Sequence, residues 1–129
     1  MKESEGAILN VLNDLMREED VLACMVARKG FEGIMPPVES FKIKNVEIWY
    51  LLQDTMDPFF DIIKQFEEHG LDKVYFEIGD YTVMFTTLIS EIALVCIVPA
   101  LANRGLLEVE IENSRRDILK MIEDVVPER

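Results

Sequence analysis

The chain has 129 residues, half of them hydrophobic, and carries 25 acidic against 13 basic side chains for a net charge of −12. That length and apolar share predict a single domain, 1–129, with a sizeable core. The charge excludes partners that present phosphate: nucleic acid and an anionic membrane surface would be repelled, and no Lys/Arg-rich run offsets this.

In chain order, Ile8, Val11, Leu12, Leu15 and Met16 recur at three and four, which predicts an amphipathic helix from Ser4 to about Glu19 with Ser4 as its cap. "VLACMVA", Val21 to Ala27, is apolar without alternation and reads as a strand covered on both faces. Lys29-Gly30 supplies a tight turn into a short second strand, "FEGIM", which Pro36-Pro37 ends because proline lacks the amide donor a ladder needs.

From about Asn45 to His69 the pattern is helical. Ile48, Leu52, Met56, Phe59, Ile63 and Phe66 fall within about 80° of one another, with Trp49 and Phe60 beside that stripe. Pro58 sits mid-segment and kinks this helix or splits it in two. Gly70 followed by Leu71 is a stop of the Schellman kind. "KVYFEI" then alternates Val74, Phe76 and Ile78 against Tyr75 and Glu77, a half-buried strand. Gly79-Asp80 turns the chain into "YTVMFTTLI", and Ser90-Glu91 into "IALVCIV", apolar on both faces. A last helix begins near Asn103, with Leu107, Ile111, Ser114, Ile118 and Met121 or Ile122 inward.

This pattern orders the sheet. The two uniformly apolar strands belong in the middle and the Pro-stopped and alternating strands at the edges. Hairpin neighbours then give an α+β sandwich with a five-stranded antiparallel sheet, order 2-1-5-4-3, and helices on both faces, the middle helix taking one face alone.

Chemistry is harder to find. Cys24 and Cys96 sit in apolar runs where a thiol is a small buried hydrophobe, and two Cys with a single His, His69, do not make a typical structural zinc site. His69 abuts a helix C-terminus, and Glu67-Glu68 and Glu108, Glu110, Glu112 are spaced as solvated helix faces. Asn103 to Gly105 admits two readings, an anion site at a helix N-terminus helped by Arg104 or a packing joint; neither phosphate-loop glycine motif is present. The expectation is a non-enzyme without cofactor or metal.

The N-terminal stretch carries charge at regular intervals and lacks the apolar core of a signal peptide. The longest apolar run, Ile92 to Leu101, is far short of the roughly 20 residues that span a bilayer and is interrupted by Pro99. A cytoplasmic protein without membrane insertion is expected.

The order of elements, "VLACMVARKGFEGI", "EEHGLDKVYFEIGDYTVMF" and above all "IALVCIVPALANRGLLEVEIENSRRDIL" resemble the roadblock (dynein light chain) domain family of the prokaryotic type, over about Ile8 to Ile122. The chain departs from that pattern in Lys29-Gly30, where the family often has Asp-Gly, in "MPPVESFKIK", and in Pro58. The resemblance implies that Asn103 caps the last helix and that Gly105 lets its first turn lie close to the sheet. It also implies a homodimer that pairs two third strands and brings two middle helices together. The implied partner is a small Ras-like GTPase, regulated or scaffolded without catalysis.

The residues themselves point to an interface too. With Leu51, Ile62, Trp49 and Phe60 the apolar arc of the middle helix widens to about 180°, more than one small sheet requires, beside an edge strand carrying Tyr75. Trp49, Phe60, Ile63, Val74, Tyr75, Phe76 and Glu77 are the expected dimer or partner surface. The alternative is a small-molecule-sensing domain of similar plan, which would need a concave pocket with convergent polar groups.

Overall fold

The two apolar strands are the centre of the molecule. In the computed structural model, which describes residues 2–125, β1 (Ala23–Arg28) and β5 (Ile92–Pro99) pair antiparallel with Cys24 opposite Cys96 and Met25 opposite Val95. Successive side chains point to opposite faces. Cys24, Val26, Leu94 and Cys96 therefore enter one apolar cluster, and Ala23, Met25, Val95 and Ile97 the other. β2 (Phe31–Ile34) pairs with β1; β4 (Tyr81–Ile89) pairs with β5 and with β3 (Lys73–Ile78), giving the expected antiparallel order β2-β1-β5-β4-β3.

One face is covered by α1 (Lys2–Leu15) and α4 (Arg104–Val125), through Ile8, Leu12, Leu15, Leu107, Ile111 and Ile118. The other is covered by the middle segment alone, as expected. That segment is two helices, α2 (Val46–Asp54) and α3 (Met56–Lys64), broken at Thr55. Proline at position 58 has no amide to donate, and its ring clashes with the carbonyl four residues back, that of Asp54, where α2 stops. The Thr55 hydroxyl takes up the slack by donating to Leu51 O (3.0 Å) and Leu52 O (3.2 Å).

Gly70 closes the segment as the sequence predicts. Its φ is 88°, Leu71 N–H donates to Phe66 O and Gly70 N–H to Glu67 O, the two bonds of a Schellman end. Gly79 takes the positive φ (57°) at the first position of the two-residue β3–β4 turn, the position that a type II′ hairpin gives to glycine. At the other end of the sheet, Gly30 N–H donates to Asp57 Oδ1 (3.0 Å) and Lys29 pairs with Asp61, so the Lys29-Gly30 turn is tied to α3.

Three local expectations are corrected. α1 already runs from Lys2, so Ser4 stands inside its first turn rather than at its cap, and the helix ends at Leu15 rather than near Glu19. The turn that follows has a partner the sequence does not advertise: Lys42 Nζ donates to Met16 O and Glu18 O, both at 2.8 Å, just beyond the end of α1. Asn103 does cap α4, its Oδ1 accepting from Leu106 N–H at 3.2 Å. Gly105, however, makes no close approach to the sheet. A Cβ there would meet only Asn103 Oδ1, at an ordinary 3.6 Å.

These two neighbours should respond oppositely to the same substitution. Asn103→Ala should cost about 1 kcal/mol by removing the cap. Gly105→Ala should leave stability unchanged or raise it by up to about 1 kcal/mol, since alanine gains helix propensity without a clash. Urea unfolding of both variants checks this, and a destabilised Gly105→Ala protein would restore the close-packing role.

Candidate functional site

The seven residues expected at an interface divide into two groups. Trp49, Phe60 and Ile63 are 0%, 3% and 3% exposed and lie inside the protomer, under α2 and α3. Trp49 meets Phe41 edge-on at 4.8 Å, and Phe60 meets Phe85 at 5.4 Å. These aromatics are core, and the expectation that they face a partner is corrected. The inward stripe is Trp49, Leu52, Met56, Phe60 and Ile63, rotated by roughly 40° from the expected one; sinking the Trp49 indole, the largest side chain of the segment, removes the most apolar area from water. Ile48 and Phe59 are left half-buried and Phe66, expected inward, is half exposed.

The surplus apolar surface is on the opposite side of the same helices. Tyr50, Leu51, Ile62 and Phe66 are four of the nine exposed large hydrophobic side chains among the described residues. Leu51 and Ile62 lie about three turns apart along the segment and are 61% and 53% exposed. Both belong to the broad arc that the sequence shows. Tyr50 does not, and the signal for it is only its position next to Trp49, about 100° around the helix from a fully buried ring.

Val74, Tyr75, Phe76 and Glu77 are on β3, the end strand of the sheet, which pairs only with β4. Val74 and Phe76 lean toward α3, where Phe59 packs edge-on against Phe76 at 5.9 Å and against Phe85 at 4.8 Å. Tyr75 leans to the other face, against the α1/α4 cluster. Its hydroxyl lies within the electrostatic reach of the Glu108 carboxylate of α4, and Glu77 pairs with Arg104 of α4 at 3.5 Å. So β3 is braced on both faces while its outer edge stays without a partner strand.

The electrostatics follow from burial. Desolvation, then the negative charge of Glu108, push the Tyr75 phenol up to about 12, with Arg104 acting the other way. Burial pushes the Cys24 thiol up to about 12 against the attraction of Lys42, and Cys96 well above its ordinary value. Both thiols behave as buried hydrophobes rather than nucleophiles. Among the described residues, no group of three or more His, Cys, Asp or Glu is arranged to hold a metal ion, and no helix is long and apolar enough to cross a membrane.

A five-stranded antiparallel sheet in this order, with the middle helical segment on one face and the terminal helices on the other, is the roadblock fold. The structure of MglB from Myxococcus xanthus is similar at a TM-score of 0.74 and 17% identity, covering 96% of this chain and 93% of that one. An MglB described in a tetrameric arrangement gives 0.68 at 13% identity, covering 95% and 93%. A Roadblock/LC7 domain from Streptomyces avermitilis gives 0.57 at 12% identity, covering 88% and 92%. At such identities the likeness establishes the roadblock fold. No protein-family model and no curated protein matches the sequence.

The Tyr75 environment makes a pH prediction. Its folded pKa of about 12 lies above the ordinary 10.0, so the fold favours the neutral phenol. Any stability linked to that preference is intact below pH 10 and is lost as pH rises from 10 through about 12. An ultraviolet absorbance titration of the native protein should show a late-ionising phenol that Tyr75→Phe removes. If the two titrations coincide, Tyr75 is not desolvated as described.

Proposed function

We propose that the protein is a single roadblock-like domain acting as a non-catalytic homodimer that binds and regulates, or scaffolds, a small Ras-like GTPase in the cytoplasm. The observation that carries this reading is the conjunction of an unpaired β3 edge with an exposed apolar helix face, Leu51 and Ile62 foremost, on the adjacent layer. An open edge beside uncovered apolar surface is the ordinary mark of an interface. Pairing β3 with its symmetry mate would extend the sheet and bring the outer faces of α2 and α3 toward their counterparts. The interface residues in this arrangement are Val74 to Glu77 at the edge and Leu51, Ile62 and Tyr50 on the helices, with Trp49, Phe60 and Ile63 supporting that face from beneath.

The GTPase partner rests on the sequence resemblance and on the fold. Regulation of this kind needs no catalytic constellation, because binding energy spent on one switch-loop conformation shifts the nucleotide state. The sensor alternative gains little from the cleft at the end of α3. The apolar cleft at the end of α3, lined by Phe66, His69, Gly70 and Leu71, opens broadly to solvent and has little polar surface, whereas a sensor needs an enclosing pocket with convergent polar groups.

Two measurements test the proposal. The protein should sediment as a dimer, with an interface near the standard burial of about 1,600 Å². Leu51→Glu with Ile62→Glu should give a folded monomer, because both side chains are exposed in the protomer. A wild-type protein that stays monomeric at about 100 μM removes the dimer. Purified from its own cells, the protein should retain a Ras-like GTPase and bind its GTP and GDP forms unequally. Equal affinity leaves a passive scaffold, since a ligand that does not discriminate between states shifts neither, and a retained metabolite instead favours the sensor.

A further inference from the structure

β2 closes the sheet on the side away from β3 and pairs only with β1. Clefts flank it on both faces. On the α2/α3 side a cleft of about 150 Å³ lies between the strand and the helices, with Met25 and Met56 among its walls. On the α1 side a wider cleft of about 460 Å³ is lined by Leu9, Ile34 and Met35. Glu32 and Gly33 border both. Phe31, at the start of the strand and beside the first cleft, is 75% exposed.

A strand added beyond β2 would send alternate side chains to the two faces of the sheet, one set toward each cleft, while main-chain hydrogen bonds supply affinity. Charge selects the occupant. Glu5, Glu32 and Asp57 border the clefts. The cation among them, Arg28, is already engaged by Glu5 (3.2 Å) and by the Glu32 carbonyl (2.9 Å), and the Glu32 carboxylate has no ion-pair partner among the described residues. One register for a second copy is disfavoured by charge. The antiparallel register that seats Phe31 against the partner copy's Gly33 sets Glu32 opposite Glu32, and like charges directly opposite are destabilising.

We infer that the β2 edge is a docking site for an extended basic segment of a different protein, in which small apolar side chains alternate with Lys or Arg, added to the sheet as a sixth strand. The site uses the edge opposite to the one assigned to the dimer, so it stands whether or not that dimer forms.

The probe is the peptide acetyl-Lys-Val-Lys-Val-Lys-Val-amide, titrated into the ¹⁵N-labelled full chain, with the twin carrying Glu for Lys as control. The Lys peptide should move the amide signals of Phe31 to Ile34, leave those of Val74 to Ile78 in place, and bind with a Kd below about 1 mM. Glu32→Lys should weaken it by roughly tenfold, and the Glu twin should not bind. If Glu32→Lys disturbs signals across the sheet, Phe31→Ser at the exposed position beside it carries the same test through the apolar contact. Absence of shifts at β2 up to about 1 mM, equal binding of both peptides, or shifts confined to β3 overturns the inference. Concentration-dependent β2 shifts without peptide overturn it in favour of a second copy.

Discussion

The two-sided burial of β1 and β5 is the constraint on which the rest depends. Cys24 and Cys96 face each other across the pair with 0% exposure, and their neighbours Ala23, Met25, Val95 and Ile97 are as deeply buried on the opposite face. Fully burying a Val, Leu or Ile side chain is worth about 1.5–3 kcal/mol each, a gain available only if helices cover both faces. A pair of strands like this cannot sit at an edge or against solvent. Its demand for two helical layers fixes the sandwich and sends the short, glycine-bearing β2 and the half-polar β3 to the margins.

One of those layers is a broken helix, and the break shapes the surface. Pro58 excludes a continuous α-helix through Asp54, and the chain restarts at Met56 with Thr55 bridging. Two short helices can each bring a ring to the sheet, Trp49 from α2 and Phe60 from α3, both buried in one cluster. The same turn of each helix that sinks the aromatic lifts an aliphatic, Leu51 in α2 and Ile62 in α3, to the outside. An apolar outer face is therefore the counterpart of the aromatic inner one rather than a separate feature.

Much of this was legible because periodicity reports burial directly. Uniformly apolar strands read as central, the alternating Val74, Phe76, Ile78 strand read as an edge, and Gly70 and Asn103 announced helix ends through side-chain and φ requirements that few residues meet. What periodicity cannot report is which of two adjacent apolar residues wins the interior. Ile48 lost to the larger Trp49, and Phe60 is buried more deeply than the identical ring of Phe59 beside it, so that expected interface residues lie in the core. Long-range polar contacts were equally hidden: Lys42 reaching the end of α1 joins residues more than twenty positions apart. Gly105 misled because the family resemblance implied a close approach to the sheet, whereas here its Cβ position is open.

The two edges of this sheet differ in what surrounds them, and the difference bears on which kind of partner each suits. A chain of net charge −12 repels its own copies. Screening confines that repulsion to about 8 Å at physiological ionic strength, the range at which interfaces form. Self-association is therefore favoured where apolar area is largest for the charge brought together. That condition points to the outer face of α2 and α3, where Leu51 and Ile62 stand outward, and to β3, where Glu77 is already paired with Arg104. The β2 side has the opposite character. Its cation is spent within the protomer and its Glu32 carboxylate is unpaired, so a copy of the same edge adds repulsion and a basic strand adds attraction. In the two proposals taken together, one sheet offers its apolar margin to itself and its acidic margin to a partner of opposite charge, and both margins exist because the apolar strands β1 and β5 take the centre of the sheet.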